Sequence, residues 1–584
     1  MPEPSCTEKI YSEDYLDLLI EYLELDQTLS ASDRECANIV GNRYAVFYRQ
    51  GDDYRPRGRG DLCTIPHCYG LLSSEQVLES TGVARVQRQP GLNLYGQGVL
   101  VGFIDTGIDY SHPAFIGSDG KTRIVSIWDQ TIREPQEGKE ILPMFNYGVE
   151  YTADDINRAL ASEDPLSVVP SHDEEGHGTF MAGVACGSRE EDGDFSGVAP
   201  LASICMVKCK QAKQNLRDYY FISEDALCYS EGDILLGINY LARKAMELQV
   251  PLVICMGMGT SQGGHNRGGI LGEYLESTGD YRGVIAVVST GNEANKPHHY
   301  MNNSVEVGGS VEVELQVAED ESGFTVELWT NATDLYSVGL ISPDGEYTGK
   351  TEARLGENRK INFLFENTIV YIEYLLNSVD GGDECIRLRF QNPVAGVWRI
   401  RVFNDNQYSS RFDMWLPLEA FIREGTRFLQ PNPDTTICDP GNNTGVITCA
   451  YYNAANRSSA IDSGRGFTRV NNIKPDFSAP GVDIYGPLPF VGNYPVTDVN
   501  RKEWARYGYR TGASMASAVT GGLSALLAQW AFIDENDIAM DTVRAKKYMI
   551  RGADRQGLNI PSRIWGNGTL DLYGVFDNLR PKVR

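Results

Sequence analysis

Three side chains in this sequence could together activate a hydroxyl for attack on a carbonyl: Asp105, His177 and Ser514. A serine hydroxyl is a poor nucleophile until an imidazole takes its proton, and the imidazole needs a carboxylate to hold it in one orientation. Ser514 lies in Gly512-Ala513-Ser514-Met515-Ala516, at the start of an almost uncharged run that continues to Trp530. It is therefore expected at the N-terminus of a buried helix, where the helix dipole favours a developing negative charge. Gly521 and Gly522 inside that run cost helix stability and are tolerable where another backbone packs closely. Alone, the stretch reads better as a small-residue core helix. Asp105 ends the apolar run 98–105, which reads as a buried parallel strand presenting the acid at its carboxyl edge. His177, flanked by Gly176 and Gly178, opens an apolar helical segment that runs to Ala185.

The order Asp105, His177, Ser514, each with these neighbours, resembles the subtilisin-like serine proteases, over roughly residues 93–300 and 437–577. A fourth segment, Val287-Val288-Ser289-Thr290-Gly291-Asn292-Glu293, resembles the strand-to-loop stretch whose asparagine amide helps form that family's oxyanion hole. The resemblance implies Ser514 as nucleophile, His177 as general base and acid, and Asp105 as the group orienting the imidazole. Asn292 and the backbone N–H of Ser514 would then stabilise the oxyanion. Met256-Gly257-Met258-Gly259 matches the edge strand that pairs with substrate in this family, which implies recognition by β-augmentation. Met258 would reach a side pocket, and Ser289 with Thr290 would line the base of the primary pocket, for a small or neutral residue before the cut. Two positions depart from the family pattern: Ala513 stands for a usual threonine and Ala518 for a usual proline, and both read as packing changes. A hydrolase of the α/β-hydrolase type would order its residues Ser, Asp, His instead.

No cofactor is expected. Calcium sites are common in the superfamily, but the sequence has no EF-hand-like run of acids, so no metal ligand is assigned. His298 and His299 have nearby acids without ligand spacing, which favours a surface or packing role. His172, in an acidic loop, reads as solvated.

A chain of 584 residues with 42% hydrophobic residues has material for two or three domains and a large core. Its formal net charge of −27 argues against nucleic acid or an anionic membrane as partner. The twelve cysteines show neither paired CxxC spacing nor a regular framework, and several sit in apolar runs, so buried free thiols are expected. The N-terminus lacks a basic start and an apolar stretch long enough for a signal peptide, and no run of about 18 apolar residues suggests a membrane span. Synthesis and retention in a reducing cytoplasm are the expectation.

The organisation expected is α/β: a doubly wound parallel sheet with helices on both faces, preceded by an α+β prodomain-like segment (1–92) and interrupted by an all-β insertion. The first 35 residues carry ten acids and two bases, and residues 12–24 fit one helical face. A strand is expected at Tyr44–Arg49, a basic turn at Arg55–Gly60 and a helix over Ser73–Gly82. The linker Val83–Pro90 is expected to lie in the cleft as a product-like strand, with the segment acting as the chain's own inhibitor. Apolar strands alternate with helices over 93–301, which predicts a parallel sheet. Short alternating runs and turn signals over 302–436 predict a sandwich or jelly roll, which explains the 222 residues between Asn292 and Ser514. Protease texture resumes over 437–584 and includes an amphipathic helix near 541–552.

The acidic arm, Asp105-Thr106-Gly107-Ile108-Asp109-Tyr110, the His298-His299 pair and the β insertion together resemble one branch, the Csp-type proteases of clostridial spores. That resemblance implies a retained prodomain, packaging in the spore, and activation of a protein zymogen during germination. Some members of the branch have lost catalytic residues, so the alternative is a silent sensing or scaffold protein whose prodomain stays in the cleft.

Overall fold

The structure, a computed structural model, describes residues 4–22, 36–41, 43–51, 63–71, 78–190, 195–354, 358–375, 382–490 and 506–580. The basic turn expected at Arg55–Gly60 lies outside them, as does the first half of the helix expected over Ser73–Gly82, whose described part is turn.

Helix α1 (Cys6–Tyr11) starts from Ser5, whose hydroxyl accepts from Glu8 N while the Glu8 carboxylate accepts from Ser5 N, a capping box. The stretch expected as a helix over 12–24 is instead strand β1 (Tyr15–Glu21). With β2 (Asn38–Val40), β3 (Tyr44–Gln50) and β4 (Cys63–Thr64) it forms an antiparallel sheet in the order β2-β3-β1-β4. The helical reading failed because β1 buries both faces. Leu16, Leu18 and Ile20 enter one core cluster and Leu19 another, which erases the alternation that marks a half-buried strand. Cys6 and Cys36 are joined in a disulfide, which corrects the expectation of free thiols for this pair; the nine cysteines described as free are all buried.

Strand β5 (Cys68–Leu71) leaves this sheet for the body of the molecule. The following linker is not an extended strand in a cleft. Val83–Gln87 is helix α2, with Val83 and Val86 fully buried. Spaced three apart, the two valines share one helical face, and Arg85 stacks 3.7 Å from the centroid of the Tyr573 ring near the C-terminus.

The next elements are β6 (Leu100–Asp105), β7 (Ile124–Asp129), β8 (Val149–Thr152), α3 (His177–Cys186), β9 (Ser203–Lys208), β10 (Tyr229–Ser230), α4 (Glu231–Leu248), β11 (Leu252–Met256), β12 (Met258–Gly259) and β13 (Val284–Ser289). An antiparallel insertion follows: β14 (His299–Val305), β15 (Ser310–Val317), β16 (Gly323–Thr330), β17 (Tyr336–Ile341), β18 (Asn358–Asn362), β19 (Ile369–Leu375), β20 (Glu384–Gln391), β21 (Gly396–Asn404), β22 (Ser410–Trp415) and β23 (Arg427–Phe428). Its two sheets run β14-β22-β16-β20-β19-β18 and β17-β21-β15-β23, and they share one core that includes Phe324, Trp398 and Phe412. The chain then returns with β24 (Ile447–Asn453), β25 (Ser458–Ser459), β26 (Phe477–Pro480), β27 (Ile484–Leu488), β28 (Arg506–Arg510) and helices α5 (Ala513–Ala528), α6 (Thr542–Gly552) and α7 (Leu572–Leu579).

The central sheet has the order β25-β24-β13-β11-β6-β9-β7-β8, with β26 beside β24. It is parallel from β7 to β26, and β8 and β25 add antiparallel edges. Its strands are buried on both faces: in β6, Val101 and Phe103 join the cluster beneath α3 and α5, while Leu100 and Ile104 join the cluster beneath α4. That burial explains their near-continuous apolar sequences.

Every residue of α5 is buried. A Cβ on Gly522 would lie 2.7 Å from Ala185 O, so the glycine admits the backbone of α3. The segment Ala513–Ile533 is long and apolar enough to span a membrane, contrary to expectation, but 83% of its apolar window is buried inside the protein. Its apolarity is that of a core helix.

Candidate active site

Asp105 is the last residue of β6, a strand in the middle of the sheet, so its carboxylate emerges at the carboxyl edge where parallel sheets hold their ligands. It is 1% exposed. Its Oδ1 accepts from Thr106 N at 2.8 Å and lies 2.8 Å from His177 Nδ1. His177 is the first residue of α3 and is also buried.

The start of α3 is tied down by Asp173, which the sequence reading did not single out. Its Oδ1 accepts from Gly176 N at 2.8 Å, and its Oδ2 accepts from Thr179 N at 2.8 Å and from Thr179 Oγ1 at 2.7 Å. Gly178 N donates to Thr106 Oγ1 at 3.0 Å, which links the helix to the residue after Asp105. These bonds set where the imidazole sits. An acid a few residues ahead of an apolar helical run is the signal that could have found Asp173.

Ser514 is the second residue of α5 and is fully buried. Its hydroxyl donates to Gly257 O at 3.0 Å. Gly257 is a glycine of necessity, because a Cβ there would lie 2.9 Å from Ser514 Oγ and 2.4 Å from the Met181 sulfur. Asn292 stands beside the same helix end, with its Oδ1 accepting from Ala513 N at 3.0 Å. That bond fixes the amide and leaves its NH2 group as the end available for donation. The N-terminus of α5 adds its own positive dipole end. Strand-edge acid and helix-start histidine are thus joined by a hydrogen bond, Asn292 is held at the helix start that bears Ser514, and α3 and α5 pack against each other.

Of the expected recognition residues, Gly257 lies against Ser514, and the others fall at or just after strand ends. Met256 ends β11, Gly257 follows it, and Met258 with Gly259 forms β12. Ser289 ends β13 and Thr290 follows; both are buried, and Ser289 Oγ has no hydrogen-bond partner among the described residues. The edge strand β12 is already occupied. Strand β5 pairs with it antiparallel, Gly70 opposite Gly259 and Leu71 opposite Met258, while β10 pairs on the other side, Tyr69 opposite Tyr229. The segment that pairs with β12 is therefore Cys68–Leu71, some 15 residues ahead of the linker expected to do so. It is anchored by Cys68 N donating to Gln262 Oε1 at 2.9 Å and by Glu231 N donating to His67 O at 3.0 Å.

Of the remaining histidines, His298 lies 2.9 Å from Glu293 and His299 lies 3.1 Å from Asp413; both are buried in packing positions. The side chain of His172 is 41% exposed. Among the described residues no group of three or more His, Cys, Asp or Glu side chains could hold a metal ion. Near the back of the sheet, Lys474 Nζ donates to Val446 O, Thr448 Oγ1 and Asp476 Oδ2, so an ammonium group occupies that polar cage. Burial pulls this lysine down to about 8.

The sequence pattern of the subtilase family, peptidase S8, matches residues 96–356 and 423–568. The structure of the CspB protease of Clostridium perfringens superposes with a TM-score of 0.73 at 31% identity, covering 86% of this chain and 96% of that one. The major intracellular serine protease of Bacillus subtilis is 26% identical over 306 residues, 50% of this chain and 77% of that protein. Subtilisin-like protease SBT2.2 of Arabidopsis thaliana is 33% identical over 141 residues, and that match spans only 16% of the plant protein's length.

Proposed function

Because this chain belongs to the subtilase family, we propose that it is a serine endopeptidase working through Ser514, His177 and Asp105. The observation that carries the reading is the 2.8 Å His177–Asp105 bond at the carboxyl edge of the sheet, with His177 on a helix that packs against the one whose start bears Ser514. When a peptide carbonyl enters, the Ser514 hydroxyl turns from Gly257 O to the imidazole, which takes its proton as Oγ attacks. Such contacts commonly tighten only once substrate is bound. Asp105 stabilises the imidazolium that forms, and the Asn292 amide with the Ser514 N–H receives the charge on the carbonyl oxygen. His177 then protonates the leaving amine, and water repeats the sequence on the acyl-enzyme.

The N-terminal segment is the site's own inhibitor. Strand β5 lies in the substrate's place along β12, running toward Gly257 and Ser514, so its natural point of cleavage is just beyond Leu71. Once cut, the segment would stay attached. Buried Asp17 of β1 lies 2.7 Å from Lys213 Nζ, and the same ammonium donates to Lys9 O and Tyr15 O. Limited proteolysis of a protein zymogen is the role the resemblance to the Csp branch implies. The firm seating of the segment also supports a second reading, a silent sensing or scaffold protein.

Intact mass of the purified chain beside Ser514→Ala separates the two. Loss of the N-terminal portion just beyond Leu71 in wild type, with the variant whole, is the expected result. Two uncut chains would favour the silent reading.

A further inference from the structure

We propose that Arg510 makes the leaving-group side of this site a receptor for an acidic side chain, so that peptides with Asp or Glu just after the scissile bond are preferred; this rests on the protease reading above. The direction of the cleft follows from β5. It runs along β12 with its C-terminal end toward Gly257, whose carbonyl holds the Ser514 hydroxyl. Residues before the cut bond therefore lie between β10 and β12. Residues after it lie beyond Ser514. The hairpin of β27 and β28 takes no part in the sheet of β10, β5 and β12 and packs against α3, the helix that starts at His177, so it is available to that side.

Arg510 is the last residue of that hairpin, four before Ser514. Its guanidinium carbon lies 5.4 Å from the centroid of the Phe180 ring, on the first turn of α3. A Cβ on Gly176, the residue before His177, would lie 3.0 Å from Arg510 Nη2. The guanidinium is thus set against the start of the histidine's helix. There it makes one hydrogen bond, from Nη2 to Glu175 O at 3.2 Å, and no carboxylate of the described residues lies within salt-bridge distance.

The acids whose charge it feels, Asp173, Asp105 and Glu175, do not use it. Asp173 is spent on Gly176 and Thr179, Asp105 on Thr106 and His177, and the Glu175 side chain faces solvent. The buried arginines of the β insertion differ: Arg387 donates to Glu327, and Arg389 to Glu373 and Tyr219 O. A guanidinium partly withdrawn from water, with most of its five donors unspent, is stabilised by a ligand that brings a carboxylate in fork geometry.

The test is cleavage of one peptide frame carrying Asp, Glu, Asn, Gln or Lys at the first two positions after the bond, by wild type and by Arg510→Gln, Arg510→Lys and Arg510→Glu. Wild type should favour the acidic member over its amide by about tenfold in kcat/KM, the ratio of one charge-assisted hydrogen bond. Arg510→Gln should abolish the ratio, Arg510→Lys should keep part of it, and Arg510→Glu should turn the preference to Lys, which loss of structure alone would not do. An enzyme that cuts the neutral peptides with no acidic preference, or whose preference survives in Arg510→Gln, overturns the assignment and leaves the protease reading standing. A wild type that cuts none of the peptides, like Ser514→Ala, overturns both.

Discussion

Two buried histidine–carboxylate pairs sit in different parts of this molecule. His177 and Asp105 meet at the carboxyl edge of the parallel sheet; His299 and Asp413 meet between the antiparallel strands β14 and β22. The separations are 2.8 and 3.1 Å, and none of the four groups is more than 3% exposed. Their surroundings differ. His299 Nδ1 lies 3.1 Å from Asn432 O, so both its ring nitrogens face acceptors. Its ring stacks on Trp415, which carries His265 on its other face at 4.0 Å. Burial pushes Asp413 up, but hydrogen bonds from His299 and Arg411 outweigh it and hold the carboxyl below its usual range. Every polar atom there has a fixed partner, and the pair cements two strands. His177 is set instead at the start of a helix packed against the one whose own start carries the Ser514 hydroxyl. A histidine–carboxylate pair becomes an acid–base device only where the fold leaves a reacting group opposite the ring.

That contrast can be broken most severely at the first pair. His177→Ala should lower kcat by about 10⁶-fold, the usual scale for loss of the base. Asp105→Asn should cost about 10⁴-fold, since the ring loses its orienting charge and its tautomer. Asn292→Ala should cost about 10²–10³-fold in kcat, with KM nearly constant, because its amide acts on charge that develops only in the transition state. All three are read by steady-state kinetics on a fluorogenic peptide.

His299→Leu should do the reverse. It should lower the melting temperature, because stripping one partner from a buried pair costs ~3 kcal/mol or more. The kcat/KM of the folded fraction should stay within about twofold, as expected for a site that shares no partner with the first.

The smallest effect sharpens the same contrast through pH. Burial holds His265 down at about 4. In the window between that value and the ordinary 6.5, the unfolded chain binds a proton that the folded chain refuses. Stability should therefore be full above pH 6.5 and fall as the pH drops through about 4. Thermal melts of wild type against His265→Gln should show a shallower acid decline in the variant.

The elements that carry Asp105, His177 and Ser514 were legible because each is announced locally. An apolar run that stops at an acid is a strand edge, a histidine or serine between small residues ahead of an apolar run is a helix start, and Gly522 marks where α3 presses on α5. The strands of the insertion were legible by their alternation. Strand β1 was not, since two-sided burial removes the period. Nothing local marks Cys68–Leu71 as the stretch that pairs with β12, since it is a strand only four residues long whose partners lie far along the chain, whereas Val83–Pro90 has the look of a linker. Asp413, 114 residues after His299, and Arg510, 335 residues after Glu175, are partners that no local pattern announces.

The sequence alone determined which side chains could do chemistry and on what kind of element each would stand, because helix starts, strand ends and close backbone contacts are written within a few neighbouring residues. Only the tertiary structure decided which histidine joins the strand-edge acid and which is locked between strands, and which stretch pairs with β12. It likewise decided that Arg510 is left with donors to spare. Those outcomes depend on strand register and helix packing between segments hundreds of residues apart, where the energy lies in the match of two surfaces that neither segment encodes by itself.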